Sequence, residues 1–310
     1  MTSFFKAGSS SDRHYTALRD GAAPIVADGR AFVEMLWTGC SQFLDDGLRQ
    51  RAPDAYMSTF WELYLAYTLD IHGVGLVPRA QRQPAGHGPD LLARQPRVWI
   101  EAVAPGPGEG LDAVREPPNG VAFSVPDDQI ILRLRSAIEE KRRRALAYRE
   151  RGWIAHTDPF VVALNAARIP SAMLEITIPR VVRCVLPFGH EQLVIDRATV
   201  EVVDRFFSYR REVLKQSGQP VATDLFLDPA YSPISALLYS CSDEINRPPC
   251  AGPDFIFVHN PLASGPVPRG WLPFGWEYWV EGDRLHRREH GPGGIGPGGE
   301  ADAATQGRSP

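Results

Sequence analysis

Cysteine is scarce in this chain: Cys40, Cys184, Cys241 and Cys250 are the four, and they form no CxxC pair. That spacing excludes a finger-like zinc site and a disulfide framework, and it leads to the expectation of reduced thiols in a cytoplasmic protein. No uninterrupted apolar run approaches the ~20 residues that span a bilayer, and Met1-Thr2-Ser3-Phe4-Phe5-Lys6 lacks the apolar centre of a signal peptide. No membrane partner is expected. Positive charge is not in excess, since the net charge is −4, so contact with nucleic acid has to come from a local patch. A G-x-S-x-G elbow is absent, which leaves a serine hydrolase without support. Gly106-Pro107-Gly108-Glu109-Gly110 is glycine-rich but lacks the Lys-Ser/Thr ending of a phosphate loop.

What remains reads as a globular protein, with 44% hydrophobic and 23% charged residues in a chain of 310. Phe32, Val33, Leu36, Trp37, Phe43, Leu44 and Leu48 recur at helical spacing over 30–50. A second helix opens after Pro53-Asp54 and stops at His72-Gly73. Strands are predicted over 74–104, and the Gly- and Pro-rich stretch 104–126 reads as a long loop. Asp127 is the predicted N-cap of a helix over 128–151 closed by Gly152. Phe160-Val161-Val162-Ala163-Leu164 reads as a buried strand. Further on, strands are predicted at 176–187 and 255–258, and a helix over 197–216. This order gives an α/β fold, a mixed β-sheet flanked by helices. The expected divisions are an N-terminal helical segment (1–50), an α/β core (51–170), a C-terminal extension packed on the core (171–290) and a disordered tail (291–310). The tail has seven glycines and almost nothing to bury.

The most informative stretch holds two carboxylates, in Gly88-Pro89-Asp90 and in Val98-Trp99-Ile100-Glu101-Ala102-Val103. Glu101 lies inside an apolar, β-favouring run, where an ionised group costs several kcal/mol unless a cation or donor meets it. Arg94-Gln95-Pro96-Arg97 between the two runs predicts a hairpin. Pairing brings both acids to one end or face of the sheet. Glu62 is the one charged residue between Asp54 and Asp70, on a helix that is apolar on nearly every side. Either a buried ion pair or a metal or catalytic role accounts for it. On the helix over 128–151, Ile130, Leu134, Ala137, Ile138, Ala145 and Tyr148 form the inward stripe, and Lys141 falls within it. Such a lysine either snorkels at the edge of the stripe or meets a carboxylate or phosphate. Gly252-Pro253-Asp254 repeats the first tripeptide, but no acid follows it at strand spacing, so it reads as a strand start. His87 reads as a turn residue near the acids.

Pro89-Asp90 followed by Glu101, with Glu62 on the preceding helix, resembles the PD-(D/E)XK superfamily of restriction-endonuclease-like nucleases. The similarity spans roughly 55–170 and includes the order helix, three strands, helix, strand. It implies a restriction-endonuclease-like core that binds Mg²⁺ (or Mn²⁺) through Asp90, Glu101, the Ala102 carbonyl and Glu62, and that cleaves DNA. One position departs: the motif's lysine, two residues past the glutamate, is Val103. The resemblance then offers two outcomes. Lys141 delivers the ammonium from the adjoining helix, or the protein is an inactive nucleic-acid-binding or scaffold protein with a degenerate nuclease fold. A sugar hydrolase using two acids is a third reading.

From Arg133 to Arg151 the helix carries eight positive and three negative charges, enough to neutralise several phosphates. Arg142, Arg143 and Arg144 are its expected contacts, with Arg79 and Arg82 extending the patch; the alternative is a solvated charged face. DNA is the expected partner, and pairing of two copies of the chain is left open.

Overall fold

The structure, a computed structural model, describes residues 2–82, 87–176 and 178–291. Apart from Gly291, the tail expected to be disordered lies outside the described residues. Helices α1 (Arg13–Asp20), α2 (Pro24–Cys40), the short α3 (Leu48–Arg51) and α4 (Tyr56–Ile71) come first. Strands β1 (Leu91–Ala93) and β2 (Val98–Val103), the long helix α5 (Asp127–Glu150) and β3 (Phe160–Asn165) follow. The remainder holds α6 (Arg180–Arg183), β4 (Phe188–Ile195), β5 (Val202–Tyr209), β6 (Glu212–Leu214), β7 (Pro220–Ala222), β8 (Ala236–Ser240), β9 (Ile256–His259), β10 (Gly275–Glu281) and β11 (Arg284–His290). Among the described residues no helix is long and apolar enough to cross a membrane.

Seven strands form one mixed sheet in the order β1-β2-β3-β8-β9-β10-β11. β2, β3 and β8 run parallel, and α5 lies in the connection between β2 and β3. The expected hairpin is present, with Leu91 opposite Ile100 and Ala93 opposite Val98. The third strand expected before α5 shrinks to a single bridge between Leu76 and Ala93. Val98 and Ile100 face α2 and α4, while Trp99 faces α5. With both faces covered, β2 and β3 are apolar along most of their length, as inner strands are. The Trp61 indole donates to the Ala163 carbonyl at 2.9 Å, tying α4 to β3.

Four predictions are corrected. Asp127 is not a cap but a first-turn acid, held by buried Arg180 at 2.8 Å and Arg183 at 2.6 Å. Two buried guanidiniums need that carboxylate, and α6 rather than a strand sets both arginines on one face. Residues 197–216, predicted helical, form β5 and β6, as the β-branched and aromatic side chains of Val202, Val203, Phe206, Phe207 and Tyr209 favour. Residues 2–28 contain α1 and bury Phe4 and Tyr15. Residues 171–290 do more than lie on the core, because they supply β8 to β11 of the main sheet.

Candidate active site

Where β1 begins, Gly88 takes φ +93°. A Cβ there would meet the Trp99 ring at an ordinary 3.8 Å, so the backbone conformation, and not space, asks for glycine. Two residues on, Asp90 continues the hairpin register and so lies beside Glu101. Its Oδ2 accepts from the Ala102 N–H at 2.7 Å. Glu62 reaches the same place from α4, and Arg51 Nη2 stands 3.5 Å from its Oε1.

Glu101 points to the α5 face. Its Oε1 accepts from Lys141 Nζ at 2.9 Å and from Arg144 Nη1 at 3.0 Å. Its Oε2 accepts from the Tyr148 hydroxyl at 3.2 Å. Lys141, Arg144 and Tyr148 are spaced by three and four, so one face of α5 presents all three donors. Lys141 is 4% exposed and Glu101 1%, which places this contact in a low-dielectric setting where it counts for most. Arg144 is half exposed and also pairs with Glu140 at 3.0 Å.

The result is a polar cleft of ≈ 430 Å³ lined by Glu62, Asp90, Ala102, Val103, Lys141 and Arg144, among others. Burial, then the charge of Glu101, raises the Asp90 carboxyl to about 7, against the opposing pull of Lys141. Burial, then the charge of Asp90, raises Glu62 to about 8, against Arg51. Both acids are therefore raised chiefly by burial and then by a neighbouring carboxylate, and the nearby cations offset this only in part. Glu101, by contrast, lies beneath Lys141 and Arg144 and is already met by both. Among the described residues no group of three or more His, Cys, Asp or Glu side chains is gathered closely enough to hold a metal ion as it stands. Asp90 and Glu62 nevertheless fit a hard divalent cation: they are oxygen donors whose mutual repulsion a cation would relieve.

The structure thus brings together Asp90, Glu101, Ala102, Lys141 and Glu62 from four segments. The expected phosphate contacts divide. Arg79 lines the cleft 3.6 Å from Asp45, and Arg143 is exposed. Arg144 is drawn onto Glu101. Arg142 is turned to Glu139 at 2.9 Å and to the Tyr231 ring. Arg82 is a correction: it is 1% exposed, and its guanidinium donates to the carbonyls of Phe43, Val77, Pro89 and Asp90. It braces the segment that carries Asp90 and is not available to a phosphate. Tyr148 and Arg51 were not singled out as site residues. Tyr148 was legible as a member of the Lys141 stripe, whereas Arg51 carries no local signal.

No family model matches this chain, and no curated protein or solved structure matches it.

Proposed function

We propose that the chain is a metal-dependent nuclease, hydrolysing phosphodiester bonds of DNA on a core of the restriction-endonuclease kind. One observation carries the reading: the Lys141 ammonium lies 2.9 Å from Glu101, beside Asp90 and Glu62, although the strand itself offers only Val103. A buried lysine on a neighbouring helix is what a relocated catalytic ammonium would look like.

Mg²⁺ or Mn²⁺ would be held by Asp90, Glu62 and the Ala102 carbonyl, with Glu101 as a further ligand once half-exposed Arg144 leaves it. When bound, such an ion supplies Lewis acidity toward a phosphoryl oxygen and a more acidic water. Lys141 stabilises negative charge growing on the phosphoryl group. Glu101 fixes the lysine, and Tyr148 fixes Glu101. Asp90 and Glu62, raised toward neutrality by burial and like charge, would release any proton they hold on binding the cation, so its affinity is expected to rise with pH. Arg79, Arg143 and Arg144 give the phosphate backbone its positive approach.

A second reading, phosphate binding without hydrolysis, is favoured by the saturation of Glu101 by Lys141, Arg144 and Tyr148. Plasmid DNA with Mg²⁺ or Mn²⁺ separates the two. The expected result is metal-dependent nicking that falls by about 10²-fold or more in Asp90→Asn, Glu101→Gln and Lys141→Met. DNA binding without nicking by the wild-type chain selects the second reading. No interaction with DNA rejects both.

A further inference from the structure

The Tyr148 ring, whose hydroxyl donates to Glu101, is the inner end of an aromatic stack. Trp153 lies on it, with ring centroids 5.7 Å apart and planes inclined by 29°. His87 lies on Trp153 in turn, at 4.8 Å and 14°. The Arg151 guanidinium is 5.0 Å from the Trp153 ring centre.

The inner half of this stack has a local cause. Gly152, at φ +69°, ends α5 in a turn where Trp153 N–H donates to the Tyr148 carbonyl and Gly152 N–H to that of Arg149. Such a turn folds the second residue past the helix back onto its last turn, which sets Trp153 over Tyr148. No such turn requires His87. It comes from the segment that precedes β1 and is exposed, so the stack ends in solvent. Gly88, the next residue, lines the acid cleft. Asp90 is three residues along, within about 11 Å at full chain extension.

We propose that His87, Trp153 and Tyr148 form a base-stacking platform that seats an unpaired nucleotide beside the cleft, so that the substrate is single-stranded DNA or a single-stranded end. The inference rests on the nuclease reading above and specifies its substrate. A base inside a duplex has both faces covered by its neighbours and gains nothing from an open ring. An unpaired base gains stacking whatever its identity, because every base has a π-face. Arg151 at the stack and Lys141 and Arg144 in the cleft supply the positive charge that a phosphate backbone needs and a neutral sugar chain does not.

The test is fluorescence anisotropy of the full chain in Ca²⁺ with a labelled single-stranded deoxyoligonucleotide and with a blunt duplex of the same sequence. Wild type is expected to prefer the single strand. His87→Ala and Trp153→Ala weaken single-strand binding about tenfold and leave the duplex unchanged, while Trp153→Phe, which keeps a ring, stays near wild type. Because His87 is exposed, His87→Ala keeps the test valid if the Trp153 variants fail to fold. Equal weakening of both DNA forms, or none, overturns the platform. Ring-dependent single-strand binding by a chain that cleaves nothing in Mg²⁺ or Mn²⁺ keeps the platform and overturns the nuclease reading. Cleavage of single strand and duplex alike, indifferent to both alanine variants, overturns the platform alone. Ring-dependent binding of a neutral oligosaccharide with no binding of DNA overturns both.

Discussion

At the β11 edge of the sheet, buried Glu277 accepts from His259 at 2.7 Å, from the Gly270 N–H at 2.8 Å and from His290 at 2.9 Å. At the β1 edge, Asp90 accepts from the Ala102 N–H and stands beside Glu101, whose charge Lys141 and Arg144 only partly offset. Six inter-strand steps, roughly 29 Å, separate the two edges. Burial alone would raise Glu277, but His259, Gly270 and His290 bring it down to about 2. Burial and like charge leave Asp90 and Glu62 raised. The same chemical group is thus fully satisfied at one edge and only partly compensated at the other. A satisfied carboxylate holds strands together, whereas an unsatisfied one is tolerated where a ligand is to supply what is missing.

The comparison breaks most sharply on the ammonium. Lys141→Met is expected to lower DNA cleavage by about 10²-fold, and adding Val103→Lys to it should recover about tenfold of that loss. No recovery, measured by initial rates on plasmid, would mean that the strand position and the helix position are not equivalent. Next in size, Glu277→Ala strands two histidines and an N–H, and should cost about 3 kcal/mol in denaturant unfolding while cleavage per folded molecule is kept. If instead it destroys activity and spares stability, the β11 edge is the functional one.

The two edges also differ in the sign of their pH dependence. An ordinary glutamate titrates near 4.5, and Glu277 near 2 when folded. Between these values the unfolded chain binds the extra proton, so the Glu277 contribution is complete above about 4.5 and is lost as pH falls toward 2. Asp90 and Glu62 run the other way, from 3.8 and 4.5 to about 7 and about 8 on folding. Across that interval the folded chain holds the protons, and stability falls as pH rises. Asp90→Asn should flatten this fall and raise stability near pH 8 by about 1 kcal/mol, read from unfolding curves across pH. A fall unchanged in Asp90→Asn would show that other groups produce it. The smallest effect belongs to Arg143, where Arg143→Ala should reduce the slope of log affinity for DNA against log salt by about 1. An unchanged slope removes Arg143 from the phosphate path.

How far each edge could be read in advance follows from sequence distance. The hairpin was legible because two β-favouring runs flank one short polar turn, which puts Asp90 beside Glu101 by register alone. Lys141 was legible as a charge inside a helical stripe. Arg144, three residues on, was read as a phosphate contact, and only the packing of α5 on β2 turns it onto Glu101. Arg82 looked like surface charge, yet carbonyls from Phe43 to Asp90 converge on it. The Glu277 cluster left no trace, since its histidines come from β9 and β11 and meet only after both strands pair with β10.

Local periodicity, then, fixed the hairpin, the long helix and the positions of Asp90, Glu101 and Lys141, because alternation by two and repeats near 3.6 act between near neighbours. Which buried charge meets which partner was decided by tertiary structure alone. Desolvation and Coulomb attraction depend on distances between segments far apart in the chain, and only the assembled sheet with its two helical layers sets those distances.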